Sequence, residues 1–248
     1  MSSDRNTIKN AVNRALEAMR NSGFEISEKL EVVLDPELPF MGYATKKSGK
    51  NVIVVSSSAI KSGPVEGLLI HEMCHIYRTD QNHPSHNSEL LDGIGQAIIH
   101  GNHLTEDYQI RTIQQAVNHI QDLYADDIAF KVFEKSRAFT PEQAFEFFLD
   151  WINDVAITPK TKRDKWFNIG IMLNNCFAIS NLTRHKIKDI DNRAENKVQK
   201  FLSQVNASMK KEFRYFRNLM ANLKEDPNET QFKKDLAEYL TRTIELAK

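Results

Sequence analysis

The spacing of apolar and polar positions divides this chain into a mixed N-terminal part and a long helical remainder. Ile8, Val12, Leu16 and Met19 recur at intervals of three and four, which predicts a helix over 4–21 stopped by Gly23. LEVVLD (30–35) and MGYAT (41–45) read as strands. KKSGK is a turn, and NVIVVSS (51–57), a nearly continuous apolar run, is the clearest strand in the chain. The three strands are expected to form a small antiparallel sheet. SGPVEGLLIHEMCHIYR then opens a helix, with Pro64 suited to its first position and Glu66 to the positive end of its dipole. Val65, Leu68, Leu69 and Ile76 make much of its apolar side. TDQNHPSHN (79–87) breaks the pattern as a loop, and helices are expected over 88–102 and 106–135.

After that the pattern is helical throughout. TPEQ (140–143) is a helix start, with Thr140 as the cap, Pro141 at the first position and Gln143 closing the box. Between 186 and 223, Ile187, Ile190, Ala194, Val198, Phe201, Val205, Met209, Phe213 and Phe216 keep spacings of three and four. EDPNET (225–230) makes a turn before a last helix. The expected class is α+β: a small antiparallel sheet packed on the helix that carries HEMCH, followed by a mostly helical C-terminal half. The expected division is a core over 1–136 and a helical subdomain over 137–248.

Composition narrows the function classes. The 33 Lys and Arg balance 33 Asp and Glu, so no global basic field points to nucleic acid. The two cysteines, Cys74 and Cys176, form no CxxC pair and no disulfide framework, which fits a reducing, cytoplasmic setting. The N-terminus MSSDRNTIKN has no apolar signal region, and the stretch 167–179 is too short and too interrupted by Asn to span a bilayer. A cytoplasmic protein without a membrane partner is therefore expected.

Seven of the eight histidines fall between His71 and His119, and the densest chemistry is in LLIHEMCHIYR (68–78). On a helix, residues four apart project from one side a turn apart, so His71 and His75 can point two imidazole nitrogens at one ion. Glu72 lies about 100° round the axis, off the ligand line but placed to take a proton from a water beside the ion. This is the HExxH arrangement, with Glu72 as general base and Zn2+ as the expected metal. Apolar flanks make an accidental pairing costly, because a mostly buried helix would desolvate two imidazoles and a carboxylate without compensation.

A catalytic zinc takes three protein ligands and a water, and the third ligand has competing sources. In DLYADDIAF (122–130), Asp122 and Asp126 share a helix face; one can ligate while the other hydrogen-bonds a ligand histidine and fixes its tautomer. In NHPSHN (82–87), His83 or His86 can swing back to the ion or flank the substrate, or simply hydrogen-bond round Pro84. His119, three residues before Asp122, can replace it or steady an oxyanion. Asp127 is expected in solvent, Cys74 in the core, and Tyr77 and Tyr124 in packing roles.

HEMCH followed about fifty residues later by DLYADDIAF resembles the gluzincin branch of the zincin metallopeptidases, whose second helix carries E-x-E-A-D-x-x-A. Matched on Ala125, Asp126 and Ala129, the family's ligand glutamate falls on Asp122, one methylene shorter, as in the aspartate-ligand zincins. HEMCH with His86 to Leu90 also resembles the SprT-type minimal zincins, in which a third histidine ligates; here Leu90 stands where an aromatic is expected. The resemblance covers residues 51–135. It implies a zinc peptidase with His71, His75 and Asp122 as ligands, Glu72 as base and Asp126 behind a ligand histidine. Peptides or unfolded protein would be the substrate, laid along an edge of the sheet. The alternative is a non-catalytic, zinc-stabilised scaffold that binds a partner.

Overall fold

The structure, a computed structural model, describes residues 2–26, 29–62 and 65–248. Pro64 lies outside the described residues. In chain order the elements are α1 (Ser2–Asn21), β1 (Leu30–Asp35), β2 (Gly42–Lys47), β3 (Lys50–Ser56), α2 (Ser57–Ser62), α3 (Val65–Asp80), α4 (Ser88–Gly101), α5 (Asp107–Ser136), α6 (Pro141–Trp151), α7 (Lys162–Arg184), α8 (Arg193–Ser203), α9 (Ala207–Asn222) and α10 (Glu229–Glu245). The class is α+β, with the helical C-terminal half that the patterning predicts. The chain forms two compact units, Met1–His86 with Tyr124–Thr140, and Asn87–Leu123 with Pro141–Lys248. Where the patterning suggests one division at 136, the chain passes between units three times, once inside α5.

In the first unit the strand order is β1-β3-β2. β3 takes the centre because its apolar run is buried on both faces, from Val52 to Val55. β2 pairs with it antiparallel, Gly42 opposite Val55 and Lys47 opposite Lys50. The hairpin turns on Ser48 and Gly49, both at positive φ (50° and 75°), the backbone of a tight two-residue loop. β1, however, runs parallel to β3, Leu30 opposite Asn51 and Asp35 opposite Ser56. The sheet is thus mixed, where an antiparallel one was expected. The short link 36–41 explains it: the chain leaves the end of β1, steps over the end of β3, where Ser56 N–H donates to Met41 O at 2.9 Å, and enters β2. So short a link requires β1 and β3 to end at the same side.

α3 packs on this sheet, and α1 packs on α3. Ala11 and Ala15, fully buried, let α1 approach closely, and Gly23 at φ 88° ends it, with Phe24 N–H bonded to Met19 O and Gly23 N–H to Arg20 O. α3 buries Val65, Leu69, Ile70, Met73, Cys74 and Ile76. Ala125, Ile128, Ala129, Val132 and Phe133 of α5 join the same core. Gly42 marks where β2 meets α3: a Cβ there would sit 2.8 Å from Val54 O and 3.3 Å from the Leu68 side chain.

The second unit is helical. Asn87 caps α4, Asn206 caps α9 and Asn228 caps α10, each side chain accepting from a backbone N–H in the first turn. The regular spacing over 186–223 runs across a real break, 204–206, because Asn206 competes for the backbone and restarts the helix. Between α6 and α7 the chain is extended and held by side chains. Asn175 exchanges two hydrogen bonds with the Asn153 backbone (2.9 and 2.9 Å), and Asn168 does the same with Ile157 (3.0 and 2.7 Å). Among the described residues no helix is long and apolar enough to cross a membrane.

Two glycines separate packing from propensity. Gly42→Ala is expected to destabilise by about 1–3 kcal/mol, since the Val54 carbonyl cannot give way cheaply. Gly95→Ala, in α4 with open space around it, is expected to stabilise by about 0.5–1 kcal/mol. Urea midpoints of the two variants against wild type check both signs.

Candidate metal centre

α3 places His71 and His75 a turn apart, and their rings meet edge to face at a centroid distance of 4.7 Å. Nε2 of His71 lies 3.1 Å from Nε2 of His75. Two nitrogens bonded to one tetrahedral ion at about 2.0–2.1 Å stand roughly 3.3 Å apart, so the pair is spaced to share an ion. α5 runs unbroken past the unit boundary and carries Asp122 one turn ahead of Asp126. His71, His75 and Asp122 each offer a ligand atom within 4.8 Å of the others. The residues present therefore fit a divalent cation held by two imidazoles and a carboxylate.

The outer nitrogens of both imidazoles are also engaged. His71 Nδ1 lies 3.0 Å from Asp126 Oδ1, and a carboxylate there orients the ring and raises its basicity toward a metal. His75 Nδ1 lies 2.8 Å from His86 Nε2. His86 Nδ1 in turn lies 2.8 Å from Ser85 Oγ, and Ser85 Oγ lies 2.7 Å from His83 Nδ1. His83 packs on Tyr124 of α5, ring centroids 4.8 Å apart. Burial first, and then the neighbouring His75 and His83, hold the His86 pKa well below the ordinary histidine value.

Glu72 is 6% exposed and makes no hydrogen bond or ion pair among the described residues. Cys74 is fully buried with Sγ 3.9 Å from Met19 Sδ, and burial pushes its thiol pKa well up, so it belongs to the core. Tyr77 packs edge-on against Phe24.

The structure brings together His71, His75, Asp122 and, behind His71, Asp126. It sets His86 on the outer side of His75 and outside the three-ligand group, and it turns His83 into the loop. His119 is likewise outside that group: its ring stacks on Phe177 at 4.9 Å, and burial presses its pKa down to about 4 against the opposing pull of Asp122. Asp127, expected in solvent, is buried, because α5 is packed on more than one face here. Ser85 and Arg78 escaped the sequence reading. Ser85 is fully buried, and Arg78, also buried, donates from Nε to Tyr124 O at 3.1 Å, joining α3 to α5. A serine between two histidines in the loop after HEMCH was the available signal for the first.

No curated protein and no solved structure matches the chain. One protein family's profile spans residues 15–245, and the chain belongs to that family, described as a family of unknown function (DUF5781).

Proposed function

We propose that this protein is a zinc-dependent peptidase. One observation carries the reading: a three-ligand group of His71, His75 and Asp122 stands one residue along α3 from Glu72, a carboxylate with no hydrogen bond among the described residues. Bound there, zinc would supply Lewis acidity, lowering the pKa of a water and polarising a peptide carbonyl. Glu72 takes the proton from the attacking water and returns it to the leaving amine. With no hydrogen bond among the described residues, the carboxylate is able to do both. Asp126 keeps the His71 ring oriented with its proton on Nδ1.

β2 supports the choice of a peptide substrate. It is an edge strand of the sheet, antiparallel to β3, and lies against α3 through Gly42 and Leu68. An extended peptide adding to that edge would be drawn over the helix that holds the two histidines. Unfolded segments or flexible tails suit such strand addition; folded proteins do not. Two buried, free thiols, Cys74 and Cys176, agree with a reducing compartment such as the cytoplasm.

The protein should bind one zinc per chain, measured by metal analysis after dialysis, and His71→Ala or Asp122→Ala should lose it. Cleavage of a peptide library should disappear with a chelator and return with zinc. Glu72→Gln should keep its zinc and lose about 10²–10⁴-fold in kcat. Zinc bound in full by wild type and Glu72→Gln, with no cleavage by either, would favour the scaffold alternative. Asp126→Asn should weaken zinc binding by about 10–100-fold, read by competition with a chromophoric chelator.

A further inference from the structure

Within the helical unit, the start of α5, the start of α7 and the end of α10 bound a cavity of about 560 Å³, the size of a small-molecule site. The charged side chains on its wall are lysines, and three of them, Lys160, Lys162 and Lys165, come from one short segment. No aspartate or glutamate lines it. None of these three ammoniums is in an ion pair among the described residues. Asp164, the one carboxylate in 158–167, is committed elsewhere: its Oδ2 accepts from the backbone N–H of Lys160 and of Thr161, 2.9 Å each. Gln109, 3% exposed, lines the same wall. Its Oε1 accepts from the backbone N–H of Thr105 at 3.3 Å and of Glu106 at 3.2 Å. A backbone N–H can only donate, so the amide cannot flip, and its NH2 is held on the side away from those two groups. That nitrogen makes no hydrogen bond among the described residues, yet it is not sealed from solvent. Trp166, 1% exposed, lines the cavity as well, and its indole N–H has no acceptor among the described residues.

We propose that this cavity binds a small phosphorylated organic molecule, with the Gln109 NH2 and the three lysines on its phosphoryl group. A largely buried amide donor without an acceptor is unfavourable, and a ligand oxygen relieves it. The amide is already held in place by Thr105 and Glu106, so little ordering is lost when a ligand arrives. A phosphoryl group brings acceptor oxygens and close to two negative charges. That charge suits several ammoniums in one place, which a single carboxylate would leave repelling one another. Lysine serves phosphate as a point charge and needs no bidentate geometry. Leu104, Trp166 and Ile244 add apolar wall, and the volume exceeds what a bare phosphate ion fills, so the ligand carries an apolar body. The site owes nothing to the metal centre and stands whether or not zinc binds there.

Phenyl phosphate is the probe, titrated into the full chain and followed by the ¹H–¹⁵N resonances of the Trp166 indole and the Gln109 NH2. The chain has two tryptophans, and Trp151→Phe identifies the indole signal. Both resonances should shift saturably, and a chelator should leave the binding unchanged, which separates this site from phosphate on a metal. Phenyl phosphate should bind about tenfold tighter than either benzoate or inorganic phosphate. Gln109→Glu keeps an acceptor for Thr105 and Glu106 but sets a negative oxygen where the NH2 stood, and it should weaken binding by about 10–100-fold. Combined Lys160→Gln, Lys162→Gln and Lys165→Gln should weaken it similarly and flatten its dependence on salt. The proposal is overturned if neither resonance responds to phenyl phosphate up to about 10 mM, or if Gln109→Glu binds as wild type does. Benzoate binding as tightly would overturn the phosphoryl assignment, and inorganic phosphate binding as tightly would overturn the organic body. If Gln109→Glu does not fold, the lysine variant, altered only at exposed positions, decides: unchanged affinity there overturns the proposal as well.

Discussion

Two imidazole nitrogens 3.1 Å apart, on side chains one helical turn apart, are close enough to share one cation or one proton. The arrangement round α3 imposes that closeness. Asp126 engages the outer nitrogen of His71, and His86 engages that of His75. The packing of the first unit holds the two rings in place. α3 is fixed by small side chains of α1 on one side and by the alanines of α5 on another. The rigidity matters, since a pair of ligands free to splay apart would lose its common point.

α5 carries more than one part of the centre. Asp122 and Asp126 are a turn apart on it, Tyr124 supports His83, and the Tyr124 carbonyl receives Arg78. Helical spacing therefore fixes ligand, hydrogen-bond partner and loop support relative to one another. The burial of Glu72, Arg78, Asp126 and Asp127 in one neighbourhood is expensive for a unit of this size. Structural packing alone would be served better by apolar residues of similar volume.

How much of this was legible depended on the range of the interaction. The HExxH helix, the facing of His71 and His75, and the pairing of Asp122 with Asp126 follow from helical periodicity. They could be read because every distance involved is fixed by 3.6 residues per turn. The position of β3 was readable from its apolar run. The parallel pairing of β1 was not, because it depends on the route of a six-residue link and leaves no mark on strand composition. The break before α9 was hidden because Val205 preserves the apolar spacing while Asn206 restarts the helix. The extended segment after α6 was hidden too, since its partners, Asn168 and Asn175, lie in the next helix. His86 was visible as a histidine near the centre, but whether it faces the ion or the back of His75 is a matter of loop geometry.

That last point bears on the choice between an enzyme and a zinc-held scaffold. A structural site is closed by four protein ligands, and His86 is the nearest candidate for a fourth. Its Nε2 is engaged with His75 Nδ1, and its Nδ1 with Ser85. Both ring nitrogens are engaged away from the Nε2 atoms of the pair, so His86 turns to the ion only by giving up both contacts. The loop therefore contacts the outer side of His75. With Asp122 as the third donor, a tetrahedral ion keeps one corner for solvent or substrate. On the reading proposed above, Glu72, the residue after His71, is the base that serves such a corner.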